Sequence, residues 1–132
     1  MPINRGGEST ATGSVGEAKL KDYAEYVVTH GTVTATEDID CNDGNIHTIT
    51  LGASVTLTIS NPASGDYSTG LTLVITQDAT GSRVITWPAS VVWQAASEPV
   101  LSTGASEVDI ITMFTVDNGT TWYAFLAGSD MS

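Results

Sequence analysis

Basic residues are scarce in this chain of 132 residues, which has four Lys and Arg against 15 Asp and Glu and a formal net charge of −11. Phosphate backbones would repel so acidic a chain, and this excludes nucleic-acid binding. The single cysteine excludes an intramolecular disulfide framework and a cysteine-based zinc site. No apolar run approaches the ~20 residues of a membrane span, and the first ten residues lack the apolar core of a signal peptide.

Thr, Ser and Gly take the place of charged residues, which make up only 14% of the chain. This composition favours strands and turns over helices. From residue 26 onward apolar and Thr residues alternate with a period of two, which predicts strands. The predicted strands span 26–36, 46–51, 55–59, 71–76, 83–87, 91–93, 108–116 and 121–126.

The turns between these strands predict how they pair. Gly52 to Ser54 is short enough for a tight hairpin, and Asn118-Gly119 is a strong hairpin signal. Residues 37–45 are predicted to form an acidic, turn-rich connection. The expected fold is all-β, an antiparallel β-sandwich or jelly-roll-like domain.

The first 18 residues have few apolar groups, so they are predicted to form an extended N-terminal arm before a single domain at 19–132. Arg5, Lys19 and Lys21 make this end basic, whereas residues 22–132 hold Arg83 alone against 13 acids. A short helix is possible at 17–26. The arm is expected either to be a disordered tail or to become ordered on a neighbouring subunit.

No residue pattern predicts catalysis. His30 and His47 lie within Thr-rich strands, where half-exposed structural histidines are expected. Cys41 lies in an acidic turn, which raises the pKa of a thiol and opposes thiolate formation. No phosphate-binding glycine loop is present, and no cofactor is expected.

A weak calcium candidate consists of Asp38, Asp40 and Asn42, whose oxygens follow the start of a calcium loop. The pattern then fails, because the glycine comes late and Ile49 stands where a bidentate Glu is needed. A solvated acidic turn with Asx hydrogen bonds explains these residues equally well.

Three tryptophans, Trp87, Trp93 and Trp122, supply much of the aromatic content of the second half. Aromatic platforms on a β scaffold can bind sugars, but they are also ordinary core and interface residues. We expect these three to contribute to the core or to self-association.

The second half of the chain, from about residue 70 onward, resembles a β module that recurs in virion proteins of tailed bacteriophages. The resemblance rests on the order and spacing of short motifs, which are Thr76-Gln77-Asp78 with Gly81, Thr86-Trp87-Pro88 with Trp93, Pro99 to Ser102, Val108-Asp109, and Asp117 to Tyr123 with Gly128. In relatives the loop after the TWP strand often reads WPGG, where this chain has Trp93-Gln94-Ala95-Ala96.

The resemblance implies a structural role without catalysis. Such modules end long tail fibres and are similar to small proteins on capsids, and the short arm favours the latter. We therefore expect a capsid decoration, or cement, protein on the surface of the virion, made in the host cytoplasm and stabilising the mature shell.

The expected partners are the major capsid protein and further copies of the chain, as a homotrimer. Ile3, Arg5, Lys19 and Lys21 are the candidate residues of a capsid-binding arm, and the three tryptophans are the candidates for self-association. The alternative is a tail-fibre, tail-spike or head-fibre module that binds a host receptor or glycan.

Overall fold

A computed structural model of the chain describes residues 21–132. These residues form nine strands and one short 3₁₀ turn, Gln94–Ala96. The strands are β1 Val27–Val33, β2 Glu37–Asp40, β3 Ile46–Leu51, β4 Val55–Ser60, β5 Thr69–Gln77, β6 Ile85–Thr86, β7 Val91–Trp93, β8 Val108–Thr115 and β9 Trp122–Gly128. Within 21–132 no helix is long and apolar enough to span a membrane.

The strands form a six-stranded sheet, in the order β1-β3-β5-β8-β9-β7, and a three-stranded sheet, in the order β2-β4-β6. From β1 to β6 the chain alternates between the two sheets, and each of β1 to β4 pairs in parallel with the strand two further on. This winding makes three successive coils of a short β-solenoid. The strands β8 and β9 then extend the larger sheet in antiparallel fashion, and β7 pairs in parallel with β9.

The all-β prediction is confirmed, but the pairings among the first six strands are parallel where antiparallel ones are expected, and the jelly-roll detail is not confirmed. The predicted hairpin at Gly52 to Ser54 is also wrong, because β3 and β4 belong to different sheets. Gly52 instead lies at a corner, where its N–H donates to the carbonyl of Val33 in the coil before. The hairpin at Asn118-Gly119 is confirmed by the antiparallel pairing of β8 with β9.

Alternate residues of both sheets point inward and form one apolar core, as expected for strands with one buried face. Its most deeply buried aliphatic and aromatic side chains are Ile39, Ile49, Leu51, Leu57, Leu73, Ile75, Ile111 and Trp122. Ile39 belongs to β2, which lies within the segment that the sequence predicts to be a turn-rich connection.

The predicted arm, residues 1–18, lies outside the described residues, together with Ile3, Arg5 and Lys19. Of the possible helix at 17–26, residues 21–26 are described and contain no helical turn. Lys21 is exposed, with its Nζ 4.0 Å from a carboxylate oxygen of Asp22.

Candidate functional site

Several residues of the resemblance motifs form hydrogen bonds that fix loops. The Gln77 side chain donates to the carbonyl of Arg83 and accepts from the Arg83 N–H, both at 2.9 Å. The Asp78 carboxylate accepts from the Arg83 guanidinium at 2.9 Å and from the Gly81 N–H at 2.8 Å. These hydrogen bonds hold the pKa of Asp78 below its usual value, and the bond from the Arg83 side chain has the largest effect. The motif therefore fixes the turn between β5 and β6.

A second network joins the Pro99–Ser102 loop to β8 and to the C-terminal residues. The buried Asp109 carboxylate accepts from the N–H and the hydroxyl of Ser102, both at 2.6 Å. It also accepts from the N–H of Asp130 at 3.1 Å. In the β8–β9 turn, Asp117 accepts from the N–H of Thr121 at 2.8 Å, and this bond, above all, lowers the pKa of Asp117. These motif residues hold the architecture together.

The three calcium candidates take part in hydrogen bonds of the smaller sheet and of the turn that follows β2. Asp38 accepts from the hydroxyls of Thr58 and Ser60, at 2.6 and 2.5 Å. Asp40 accepts at 2.9 Å from the N–H of Asn42 and at 2.9 Å from the side-chain amide of Asn61, and the amide bond, above all, lowers its pKa. Within residues 21–132 no group of three His, Cys, Asp or Glu could hold a metal ion. Asp40 and Asn42 therefore form the Asx hydrogen bond expected of a turn, whereas Asp38 accepts from hydroxyls of the neighbouring strand.

The two histidines lie next to each other, and the half-exposed position predicted for His47 is wrong. His47 is fully buried on β3, with its ring stacked on that of His30 at 5.2 Å between centroids. Burial, above all, raises the pKa of the Cys41 thiol to about 11, with the neighbouring Asp40 and Asp38 adding to the effect. At neutral pH Cys41 is therefore a protonated thiol.

The three tryptophans occupy two different environments. Trp122 is 1% exposed and fills the core, so its side chain offers no surface for the predicted self-association. Trp87 and Trp93 are partly buried against the core and meet edge to face, with ring centroids 5.2 Å apart. The self-association role of Trp87 and Trp93 stays a prediction.

A groove runs beside Trp93 along the edge of the larger sheet, and we call it the edge groove. It has a volume of about 320 Å³ and is lined by Trp93, Gln94, Ala95, Ser97, Pro99, Ala124, Phe125 and Leu126. Ala95 and Ala96, in the turn that follows Trp93, both have a φ of 54°. L-residues pay roughly 1–2 kcal/mol for this left-handed conformation.

The two sheets differ in the chemistry of their outer faces. The outer face of the smaller sheet carries Asp38 and Asp40 with Thr and Ser hydroxyls. The outer face of the larger sheet, which we call the uncharged face, follows from strand register and alternation. It comprises Val27, Thr29, Thr32, Ile46, Thr48, Thr50, Gly70, Thr72, Val74, Thr76, Val92, Val108, Ile110, Thr112, Phe114, Tyr123 and Phe125.

Neither the edge groove nor the uncharged face is evident from the sequence alone. The alternation of Thr with apolar residues is visible in each strand, but the strand order that aligns the outward residues is not. The aromatic residues of the second half are the signal. They point to Trp87, Trp93 and Trp122, of which Trp93 lines the edge groove and Trp122 is buried. They do not point to Phe114 and Phe125, which are 43% and 45% exposed.

Residues 27–122 match the model of a family described as "Putative phage tail fibre C-terminal domain". No curated protein and no solved structure matches the chain. The family match covers eight of the nine strands and the first residue of β9. It supports the predicted phage structural role, and the chain therefore belongs to this family of tail-fibre C-terminal domains and is a structural component of the phage virion.

Proposed function

We propose that this chain is the host-recognition domain of a phage tail fibre and that it binds a glycan of the host surface in the edge groove. The observation that carries the proposal is the position of Trp93 and Phe125 along an open groove, within a domain of the tail-fibre family. This function corresponds to the alternative that the sequence left open.

The edge groove has the mixed lining that sugar binding requires. The ring faces of Trp93 and Phe125 can contact the apolar C–H surface of a pyranose. The exposed side chains of Gln94 and Ser97 can form hydrogen bonds with its hydroxyl groups. A volume of about 320 Å³ falls at the lower end of the ~300–1,000 Å³ that is typical of ligand sites.

The edge-to-face contact with Trp87 helps to hold the ring of Trp93 in place. A side chain that is already held in place loses little rotamer freedom when a ligand binds, so less binding free energy is lost to ordering. The strand β9 also continues past its last pair with β7, Ala124 with Trp93. Among the strands of residues 21–132, none pairs with its backbone groups beyond Ala124 on the side of the groove.

The charge of the residues around the edge groove indicates which class of glycan can bind there. Within residues 21–132 the basic side chains are Lys21 and Arg83, and Arg83 is paired with Asp78. Glu98 lies near the edge groove and lines the adjoining hollow together with Trp87 and Pro99. Acidic sugars would be repelled by this surface, so we expect a neutral sugar or an amino sugar.

Titration of the protein with neutral host polysaccharide, followed by tryptophan fluorescence and by calorimetry, tests the proposal. We expect saturable binding that Gln94→Ala and Ser97→Ala each weaken about tenfold, the value of one hydrogen bond. Thr56→Ala, an exposed change on the other sheet, is the control and leaves binding unchanged. Absence of binding, or equal binding by all variants, would contradict the proposal.

The capsid-decoration function predicted from the sequence stays a prediction. Its candidate arm residues Ile3, Arg5 and Lys19 lie outside the described residues, and Lys21 is an exposed lysine. Binding to the major capsid protein and the homotrimeric state stay predictions as well. The family match favours the tail over the capsid.

A further inference from the structure

We infer that the glycan of the edge groove carries a free amino group and that this group binds in the adjoining hollow beside Trp87 and Glu98. The inference rests on the proposed function, because it names one chemical feature of the same ligand. We call this depression the Trp87–Glu98 hollow. It is lined by Val84, Ile85 and Trp87 from β6 and its two flanking residues, and by Glu98, Pro99 and Val100 from the loop before β8.

The size and position of the Trp87–Glu98 hollow suit one substituent of a larger ligand. Its volume of about 180 Å³ lies below the ~300–1,000 Å³ that is typical of sites for whole ligands. Pro99 lines both this hollow and the edge groove. The ring centroids of Trp87 and Trp93 lie 5.2 Å apart, a distance that one sugar residue spans. A glycan that contacts Trp93 can therefore place its next residue at the hollow.

The side chains of the Trp87–Glu98 hollow are complementary to an ammonium group on an apolar body. The lining combines the carboxylate of Glu98 with an indole and with aliphatic side chains, of which Val84 and Val100 are 60% and 84% exposed. A carboxylate binds an ammonium group through charge-assisted hydrogen bonds, and an indole attracts a cation that lies over its face. The aliphatic side chains can contact the ring carbons of an amino sugar.

Within residues 21–132 no lysine or arginine forms an ion pair with Glu98. The residues of these types are Lys21, whose Nζ lies 4.0 Å from Asp22, and Arg83, which lies 2.9 Å from Asp78. A cationic ligand therefore has no basic side chain of this part of the chain to displace. The net charge of −11 also favours the approach of a cation over that of an anion.

Both segments that line the hollow are held in place by the rest of the domain. The carbonyl of Val84 accepts from the N–H of Val55 on β4 at 3.0 Å. In the loop, Leu101 is buried in the core, and the N–H of Ser102 donates to Asp109 at 2.6 Å. A hollow between fixed segments needs little ordering when a ligand binds, so less binding free energy is lost.

Calorimetric titration of the full chain with two matched trisaccharides tests this inference. One is a trisaccharide of glucosamine, at a pH at which its amino groups are protonated, and the other is its N-acetylated, neutral form. We expect the wild type to bind the free amine about tenfold more tightly, since exposed ion pairs are individually weak and the indole adds to the effect. Glu98→Gln is expected to bind both equally. The control, Asp66→Asn, removes the same charge from an exposed loop residue and keeps the preference.

Val100→Lys is a second variant, which places an ammonium group of the protein in the hollow and is expected to abolish the preference as well. A preference that Glu98→Gln retains, or that Asp66→Asn also loses, would overturn the inference. A lysine-rich peptide that binds more tightly than the trisaccharide, with the same dependence on Glu98, would overturn a sugar as the source of the amino group.

The same titrations separate this inference from the proposed function. Equal binding of the two trisaccharides by the wild type, with both weakened in Gln94→Ala, would overturn the amino-group inference and leave the edge groove as a glycan site. Binding of host polysaccharide without binding of either trisaccharide would have the same meaning. Absence of binding to all three glycans would overturn both proposals.

Discussion

Nε2 of His30 lies 2.9 Å from Nδ1 of His47, and this contact joins the first two coils of the solenoid. Nε2 of His47 donates to the carbonyl of Gly44 at 2.9 Å, so Nδ1 of the neutral ring accepts from His30. Nδ1 of His30 lies 2.8 Å from a carboxylate oxygen of Glu37 on β2. These contacts form one continuous chain of hydrogen bonds that connects β1, β2 and β3.

This arrangement predicts a loss of stability in mild acid. Burial, above all, lowers the pKa of His47 below its usual 6.5, and the adjacent His30 acts in the same direction. The hydrogen bond to Gly44 and the charges of Asp43 and Asp40 oppose the shift without reversing it. Between these two pKa values His47 is protonated in the unfolded chain and neutral in the folded chain. The folded state therefore loses stability as pH falls from about 6.5 through the folded pKa of His47.

Urea unfolding at a series of pH values between 8 and 5 measures this loss. We expect His47→Gln to be less stable than wild type at pH 8, because the buried bond to His30 is altered, and to show a smaller fall toward pH 5. An equal fall in both proteins would assign the pH dependence to other groups.

Asp109→Ala is expected to destabilise the protein by about 3 kcal/mol, because it removes the carboxylate that accepts from the N–H and hydroxyl of Ser102 and from the N–H of Asp130, which keeps only the Ser102 hydroxyl oxygen at 3.1 Å. Ser102→Ala removes the hydroxyl, which donates to Asp109 and accepts from the N–H of Asp130. It leaves the Asp109 carboxylate with both backbone N–H donors, and should cost about 1 kcal/mol. Chemical denaturation measures both changes. Equal costs for the two substitutions would show that the carboxylate does not organise the loop as described.

A comparison of Gly65 with Gly81 distinguishes the cost of backbone strain from the cost of a steric clash, because the two glycines have similar φ angles but different surroundings. Gly65 and Gly81 have φ values of 71° and 76°, but an added Cβ meets no atom at Gly65 and the backbone carbonyl of Thr103 at Gly81. We expect Gly65→Ala to cost about 1 kcal/mol and Gly81→Ala about 3 kcal/mol or more in unfolding free energy. Similar costs at the two positions would contradict the close approach of the Thr103 loop.

The loop that lines the edge groove should tolerate glycine. Ala95 and Ala96 both have a φ of 54°, which glycine adopts without steric cost. Glycine also increases the entropy of the unfolded chain, so the net gain is small, about 0.5 kcal/mol of unfolding free energy for each substitution. Thermal unfolding of Ala95→Gly and Ala96→Gly checks this, and a clear fall in melting temperature would argue against the left-handed loop.

The positions of most strands could be predicted because each strand alternates Thr with apolar residues, as in Ile46–Leu51 and Val55–Ser60. The strand β2 cannot be predicted in this way, because Asp38 and Asp40 surround its one inward apolar residue, Ile39. Acidic residues at this spacing are typical of a turn. They fit a strand here because the hydroxyls of Thr58 and Ser60 on the neighbouring strand donate hydrogen bonds to Asp38.

The pairing direction could not be predicted because it depends on contacts between distant residues. A three-residue link such as Gly52 to Ser54 fits a hairpin and also fits a corner between two sheets. The corner forms here because Leu51 and Val55 both face one core from opposite sheets. The same dependence hides the edge groove, since Trp93 and Phe125 come together only through the pairing of β7 with β9.

Localisation of the chain on intact virions tests the central claim most directly. Antibody raised against residues 21–132 and coupled to gold would be imaged on purified particles by electron microscopy. The tail-fibre account predicts label at the fibres and none over the head. Label distributed over the capsid would contradict it and support the decoration function that the sequence first suggested.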